Sequence, residues 1–201
     1  MPLLIVDYGV GNLGSLGRAF RRLGVPYQLS SDPQTVRRGT KLVLPGVGHF
    51  GESMVNLRAR GLESPLKEAV SSGASLLGIC VGFQMLFEES EEAPGVAGLG
   101  LLRGRARRFP AGSPVPHVGW NQIDVTGSPE FLEGVRSGDY FYFLHSYYVC
   151  PEEKAIVQAR TEYGIEFCSV ASRDRISAIQ FHPEKSQQLG LRVLRNFCLL
   201  P

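Results

Sequence analysis

The sequence predicts an α/β fold: a mostly parallel central sheet with helices on both faces and antiparallel strands added in the second half. Two patterns carry this. Up to residue 90 short apolar runs alternate with helix-like ones, and that alternation builds a parallel sheet. From residue 98 onward apolar runs follow one another through short turns, as in antiparallel ribbons. With 201 residues, 43% hydrophobic and 20% charged, the chain suits one domain spanning 1–201.

The elements follow in order. "LLIVD" (3–7) is an apolar run of buried-strand type. "NLGSLGRAFRRLG" (12–24) places Leu13, Leu16, Phe20 and Leu23 on one helical face, with Gly24 as its C-cap. "PYQLS" and "KLVLPG" (41–46) are the second and third strands. Helix fills 51–72, broken near Gly61 and Pro65. "ASLLGI" (74–79) is a fourth strand, and "FQMLFEES" the helix behind it. "GLGLLRGRARRF", "WNQIDV", "DYFYFLHSYYVC", "AIVQART" and "IEFCSVAS" read as the antiparallel ribbons, with a loop at 110–116. "ISAIQFHPE" (176–184) is an apolar strand that ends at a histidine, and "SQQLGLRVLRNFCLL" a closing helix.

Composition narrows the function classes. A net charge of +2 supplies no basic field for nucleic acid. No apolar run reaches the roughly 18 residues of a membrane helix. The start, "MPLLIVDYG", lacks a basic n-region and reads as a strand rather than a signal peptide. The four cysteines form no C-x-x-C pair, so no metal site or other cofactor is expected, and reduced thiols in a cytoplasmic protein are. Cys150, Cys168 and Cys198 lie in apolar contexts and read as core.

Cys80 is different. It stands in "GICVG" (78–82), where a strand would give way to a helix, at the sheet edge where open α/β folds bind ligands. G-x-C-x-G is the cysteine counterpart of the nucleophile elbow, whose crowded turn admits only small neighbours. The sulfur would sit at a helix N-terminus, and the Val81 N–H would point toward a developing oxyanion. Taken alone, the motif fits a buried structural cysteine equally well. A base and an orienting carboxylate are offered by "FHPE" (181–184), with His182 at the end of another strand and Glu184 two residues on. "LPGVGHF" (44–50) follows a strand and can bring backbone N–H groups to a substrate, while His49 reads as a helix-start residue. The basic run "RGRARR" (103–108) reads as an exposed strand face.

"GICVGFQ" (78–84), "LPGVG" (44–48) and "FHPE" (181–184) together resemble the class I, triad-type glutamine amidotransferases, over nearly the whole chain. The resemblance implies a flavodoxin-like sheet and hydrolysis of glutamine through a thioester. Cys80 would be the nucleophile, His182 the general base and acid, and Glu184 its orienter. Val47 and Gly48 would belong to an oxyanion strand, with Val81 opposite. Gln84, Glu92, Gly48 and the backbone of His145, Ser146 and Tyr147 would hold glutamine; "EESEE" (88–92) also reads as a solvated acidic helix end.

"IVDYGVGNLGSL" (5–16), "PGVGHF" (45–50), and "PHVGWNQI" (116–123) with "YFLHSYY" (142–148) are similar to one branch of that family. Its members lack a synthase domain and pass ammonia to a separate, barrel-shaped cyclase subunit. Asn12, Arg18, Trp120, Tyr142 and Lys185 would face that partner; core packing for Trp120 and Tyr142, and solvated surface for Arg18 and Lys185, are the plainer readings. Three alternatives stay open. They are a sibling glutaminase subunit serving anthranilate, aminodeoxychorismate or pyridoxal phosphate synthesis, a Cys-dependent hydrolase on the same sheet, and a non-catalytic binding module.

Overall fold

A computed structural model describes residues 2–200. The first half is β1 (Leu3–Val6), α1 (Leu13–Arg22), β2 (Tyr27–Ser30), α2 (Pro33–Arg38), β3 (Lys41–Leu44), α3 (Phe50–Ala59), α4 (Glu63–Ser71), β4 (Ser75–Ile79) and α5 (Val81–Met85). The second half adds β5 (Glu89–Ser90), β6 (Gly104–Arg108), β7 (His117–Gln122), β8 (Asp124–Val125), β9 (Tyr140–His145), β10 (Tyr147–Pro151), β11 (Val157–Glu162), β12 (Glu166–Arg173), β13 (Ile176–Ile179) and α6 (Gln187–Leu199).

The main sheet runs β2-β1-β3-β4-β13-β12-β10-β6-β5, with β11 and β8 branching from β12. Its first five strands pair in parallel, and β13 to β12, β12 to β10 and β10 to β6 are antiparallel. β1, β4 and β13 are buried at every residue, which is why they read as unbroken apolar runs. α1 buries Leu16 and Phe20 and packs Leu13 and Leu23 against the core. Asn12 Oδ1 caps it by accepting the Ser15 N–H, and Gly24, just past its end, takes φ +69°.

Several elements depart from the expected boundaries. α2 is unread in the sequence, although Asp32 caps it from Oδ2 to the Thr35 N–H and Pro33 opens it. The 51–72 helix breaks only at Gly61; Pro65 lies in the first turn of α4, where its missing N–H costs no helical bond. The helix behind β4 stops at Met85, not residue 90. The returning loop at 98–102 takes its last carbonyls: Leu99, Leu102 and Gly100 donate to Met85, Leu86 and Phe87.

Glu89 and Ser90 then pair with β6 as a strand, so "EESEE" is no helix end. Glu89 and Glu91 meet Arg105 and Arg107 at 3.3 and 3.1 Å, which makes the basic run half of an acidic–basic ladder, exposed and weak. The run at 139–150 is two strands. β9 pairs with β7 as a ribbon separate from the main sheet, the chain turns at Ser146, and β10 enters the main sheet. All four cysteines are free; Cys168 is buried, and Cys150 and Cys198 are half-buried.

Candidate active site

β4 and β13 are neighbours in register, Ile79 beside Ile179. Cys80 follows one and His182 the other, so a parallel pairing sets both at the same edge. The Cys80 N–H donates to the Ile179 carbonyl at 2.8 Å, which pins the elbow to the strand that carries the histidine. Cys80 takes φ 54°, ψ −110°, a strained conformation for a side-chain-bearing residue. Space around it explains the glycines. A Cβ on Gly82 would lie 2.0 Å from the Leu44 carbonyl oxygen, and one on Gly46 would lie 2.3 Å from the Gly82 nitrogen. The elbow and the "LPGVG" segment therefore touch backbone to backbone.

His182 is held from several sides. Its N–H donates to the Tyr142 carbonyl at 2.8 Å, and its carbonyl accepts from Ser186 Oγ at 2.6 Å. Its Nδ1 donates to Glu184 Oε1 at 3.0 Å, and both side chains are almost wholly buried, 2% and 4% exposed. That bond leaves Nε2 without a formed hydrogen bond, and Cys80 is the group that acts on it. Burial opposes charge on His182, but Cys80 and Glu184 outweigh it and raise its pKa to about 10.

A narrow cavity of about 60 Å³ is lined by Val47, Gly48, Cys80, Val81, Gln84, Glu92, Leu144, His145, Ser146, Tyr147 and His182. All the residues expected at an oxyanion strand or a glutamine site are thus brought together. Val81 opens α5, so its N–H has no acceptor in a preceding turn. Gly48 is exposed with φ +87°, and nothing would meet a Cβ there within 4 Å. Glu92 Oε2 accepts the Phe50 N–H at the start of α3, 2.7 Å away, an anion at a helix N-terminus. His49 caps that helix, as expected, from Nδ1 to the Gly51 N–H.

Three groups beside the thiol are absent from the sequence reading. The Cys80 Sγ donates to the Leu144 carbonyl at 3.6 Å, and the buried Gln180 Nε2 donates to Sγ at 3.7 Å. Gln180 Oε1 in turn accepts from Gln84 Nε2 at 3.4 Å. The Tyr8 hydroxyl, buried, donates to the Pro45 carbonyl at 2.7 Å and anchors the start of the "PGVG" segment. Gln180 stood next to "FHPE" and Tyr8 within "VDYGVGN"; neither residue type announces chemistry by itself.

Asn12, Arg18, Trp120, Tyr142 and Lys185, the five residues expected to face a partner, lie on elements around the turn at 183–185, against which α1 and β9 both pack. Trp120 is 46% exposed, so it is not core. It meets Tyr142 edge-on at 6.1 Å, and Lys185 Nζ lies 5.2 Å from the Tyr142 ring centroid. Arg18 is exposed and donates to Ser15 Oγ at 2.7 Å. Val118, Tyr140 and Leu144 extend the exposed apolar face of the β7–β9 ribbon.

A strained cysteine elbow, a buried histidine–carboxylate pair and an adjoining backbone-lined cavity have the geometry of a triad-type cysteine hydrolase on an α/β sheet. The chain belongs to the glutamine amidotransferase class-I family, whose profile matches residues 4–200. More narrowly, it belongs with the glutaminase subunits, called HisH, of imidazole glycerol phosphate synthase in histidine biosynthesis. It is 46% identical over 196 residues to the imidazole glycerol phosphate synthase subunit HisH of Moorella thermoacetica, covering 98% of this chain and 93% of that protein. To the subunit of the same name from Methanothermobacter thermautotrophicus it is 49% identical over 195 residues, covering 97% and 96%. The fold matches a crystal structure of a glutamine amidotransferase with a TM-score of 0.77 at 22% identity, over 97% of this chain and 96% of that one. Among the described residues, no helix is long and apolar enough to cross a membrane.

Proposed function

We propose that Cys80 hydrolyses the side-chain amide of glutamine and that the ammonia passes to a separate cyclase subunit, in the cytoplasm. The cyclase would use it to make imidazole glycerol phosphate and AICAR. The single observation carrying the chemistry is that the strained Cys80 and His182, itself paired with the buried Glu184, line one cavity.

The thiol proton goes to His182 Nε2, giving a thiolate beside an imidazolium, the charge state favoured by the raised pKa of His182. Sulfur attacks the amide carbon, and the Val81 N–H with the 47–48 segment receives the oxyanion. As the tetrahedral species collapses, the C–N bond breaks, His182 returns the proton to nitrogen, and ammonia leaves a thioester. Water then adds, His182 taking its proton and giving it to the departing sulfur, and glutamate is released. Gln84 and Glu92 hold the amino-acid end, Glu92 by its free oxygen against the α-ammonium, with the backbone of His145, Ser146 and Tyr147. Asn12, Arg18, Trp120, Tyr142 and Lys185 form the face that meets the cyclase.

A glutamine-derived electrophile should label Cys80 and none of the other three cysteines, and excess glutamine should protect it. Peptide mass mapping decides this, and failure to label Cys80 sinks the proposal. A second expectation concerns Glu184→Gln. Removing the carboxylate lowers the pKa of His182, because an anion that favours the imidazolium is gone. The alkaline limb of the glutaminase pH profile should therefore move to lower pH. The rate at its optimum should fall by about a thousandfold as the ring loses its orienter. An unmoved limb would show that Glu184 does not act on His182.

A further inference from the structure

The inner face of the β7–β9 ribbon holds a buried histidine that the chemistry above does not use. His117 stands directly across from His145 in the ribbon register. Four hydrogen bonds run in a line through them. Glu162 O accepts from Asn121 Nδ2 at 2.9 Å, and Asn121 Nδ2 meets His117 Nε2 at 3.2 Å. His117 Nδ1 meets His145 Nε2 at 3.1 Å, and His145 Nδ1 meets the Tyr147 carbonyl at 2.8 Å. Both ends of the line are backbone carbonyls, which only accept.

That constraint fixes every proton. His145 Nδ1 must carry a hydrogen for Tyr147, so in the neutral ring Nε2 is a bare lone pair. His117 Nδ1 must then donate to it, which leaves His117 Nε2 bare to accept from Asn121. Burial keeps both rings neutral, pushing His117 down to about 4 and His145 to about 3. The same Tyr147 carbonyl accepts a second hydrogen bond from Gln84 Nε2 at 2.9 Å. On the other side of His145, one residue before it, the Leu144 carbonyl accepts from Cys80 Sγ.

We infer that His117 and Asn121 are positioning residues for glutamine: they lock His145 as its Nδ1–H tautomer and thereby fix the 145–147 backbone that lines the substrate cavity. The substrate part of this inference rests on the glutaminase reading. The tautomer part does not. If the lock fails, His145 turns a bare Nδ1 toward the Tyr147 carbonyl, two acceptors repel, and the 145–147 backbone shifts.

The test separates the hydrogen bond from the packing. His117 also stacks on Tyr163 and Phe143, with centroids 3.9 and 4.8 Å apart. His117→Phe keeps the stack and removes the donor. His117→Asn removes the ring and keeps a donor near the Nδ1 position. With the cyclase present, His117→Phe should raise the KM for glutamine about tenfold with kcat changed by less than about twofold. His117→Asn should bring KM back to within about threefold of wild type. The reverse order of the two variants would mean that His117 only packs, and would overturn the inference. Should neither variant fold, 15N NMR of the imidazoles in the wild-type chain decides alone. Protonated Nδ1 on both His117 and His145 is expected, and protonated Nε2 on His145 would overturn the inference. Wild-type turnover of glutamine, measured alongside, tests the activity itself, so the two ideas fail separately.

Discussion

With its cyclase, the Cys80→Ala chain should make no product from glutamine and make it at the wild-type rate from added ammonia. The loss with glutamine should exceed about a thousandfold, since no other group can form the thioester and removal of a nucleophile usually costs that much or more. The substitution isolates chemistry from structure. The side chain is only 2% exposed, alanine fills most of the same space, and the strain of φ 54° falls on any residue with a Cβ. The melting temperature should therefore stay within a few degrees. Turnover of glutamine at the normal rate would refute the assignment of Cys80, and loss of the ammonia-dependent reaction would show that the substitution damages the complex instead.

Gly82→Ala should be nearly as severe for a different reason. Its Cβ would lie 2.0 Å from Leu44 O and 2.9 Å from Leu44 C, both backbone atoms of the adjoining strand. Neither can rotate away, so β3, the "PGVG" segment or the elbow must move. Overpacking of this kind costs about 3 kcal/mol, or roughly 6–12 °C in melting temperature for a chain of this size. Because the displaced segment lines the cavity beside Cys80 and is the proposed source of oxyanion donors, glutaminase activity should fall further than stability alone accounts for. Gly78→Ala, whose Cβ would meet Gly82 O and Leu86 Cδ1 at 3.0 Å, should cost less on both measures. A Gly82→Ala chain with wild-type melting and activity would mean that the elbow does not depend on this contact.

The parts legible in the sequence were those with a local signature. Apolar runs marked β1, β4 and β13 because these strands are buried along their whole length, and β3 because all of it but Lys41 is buried. Cys80, His182 and Glu184, and the expected residues that line the cavity with them, were legible as candidates because most of their motifs sit where strands end. What failed was non-local. Nothing near Glu89 says that it will pair with Arg105, so the acidic run looked helical. Nothing in residues 139–150 marks Ser146 as the point where one strand leaves the ribbon and another joins the sheet. Gln180 and Leu144 reach Cys80 across 100 and 64 residues of chain, and one of them acts through a backbone carbonyl that any residue type supplies. The His117–Asn121 line is hidden for the same reason, since its meaning depends on β7 facing β9.

The place of β13 in the sheet, between β4 and β12, gives the protein an order of assembly. Synthesis delivers Cys80 long before the strand that completes its surroundings. A chain interrupted before Ile176 lacks the strand that pairs with this edge of β4, the Ile179 carbonyl that pins the elbow, and His182. Only when the β12–β13 hairpin docks do Cys80 and His182 come to the same edge of the sheet, so the order of synthesis makes this candidate site one of the last parts of the protein to form.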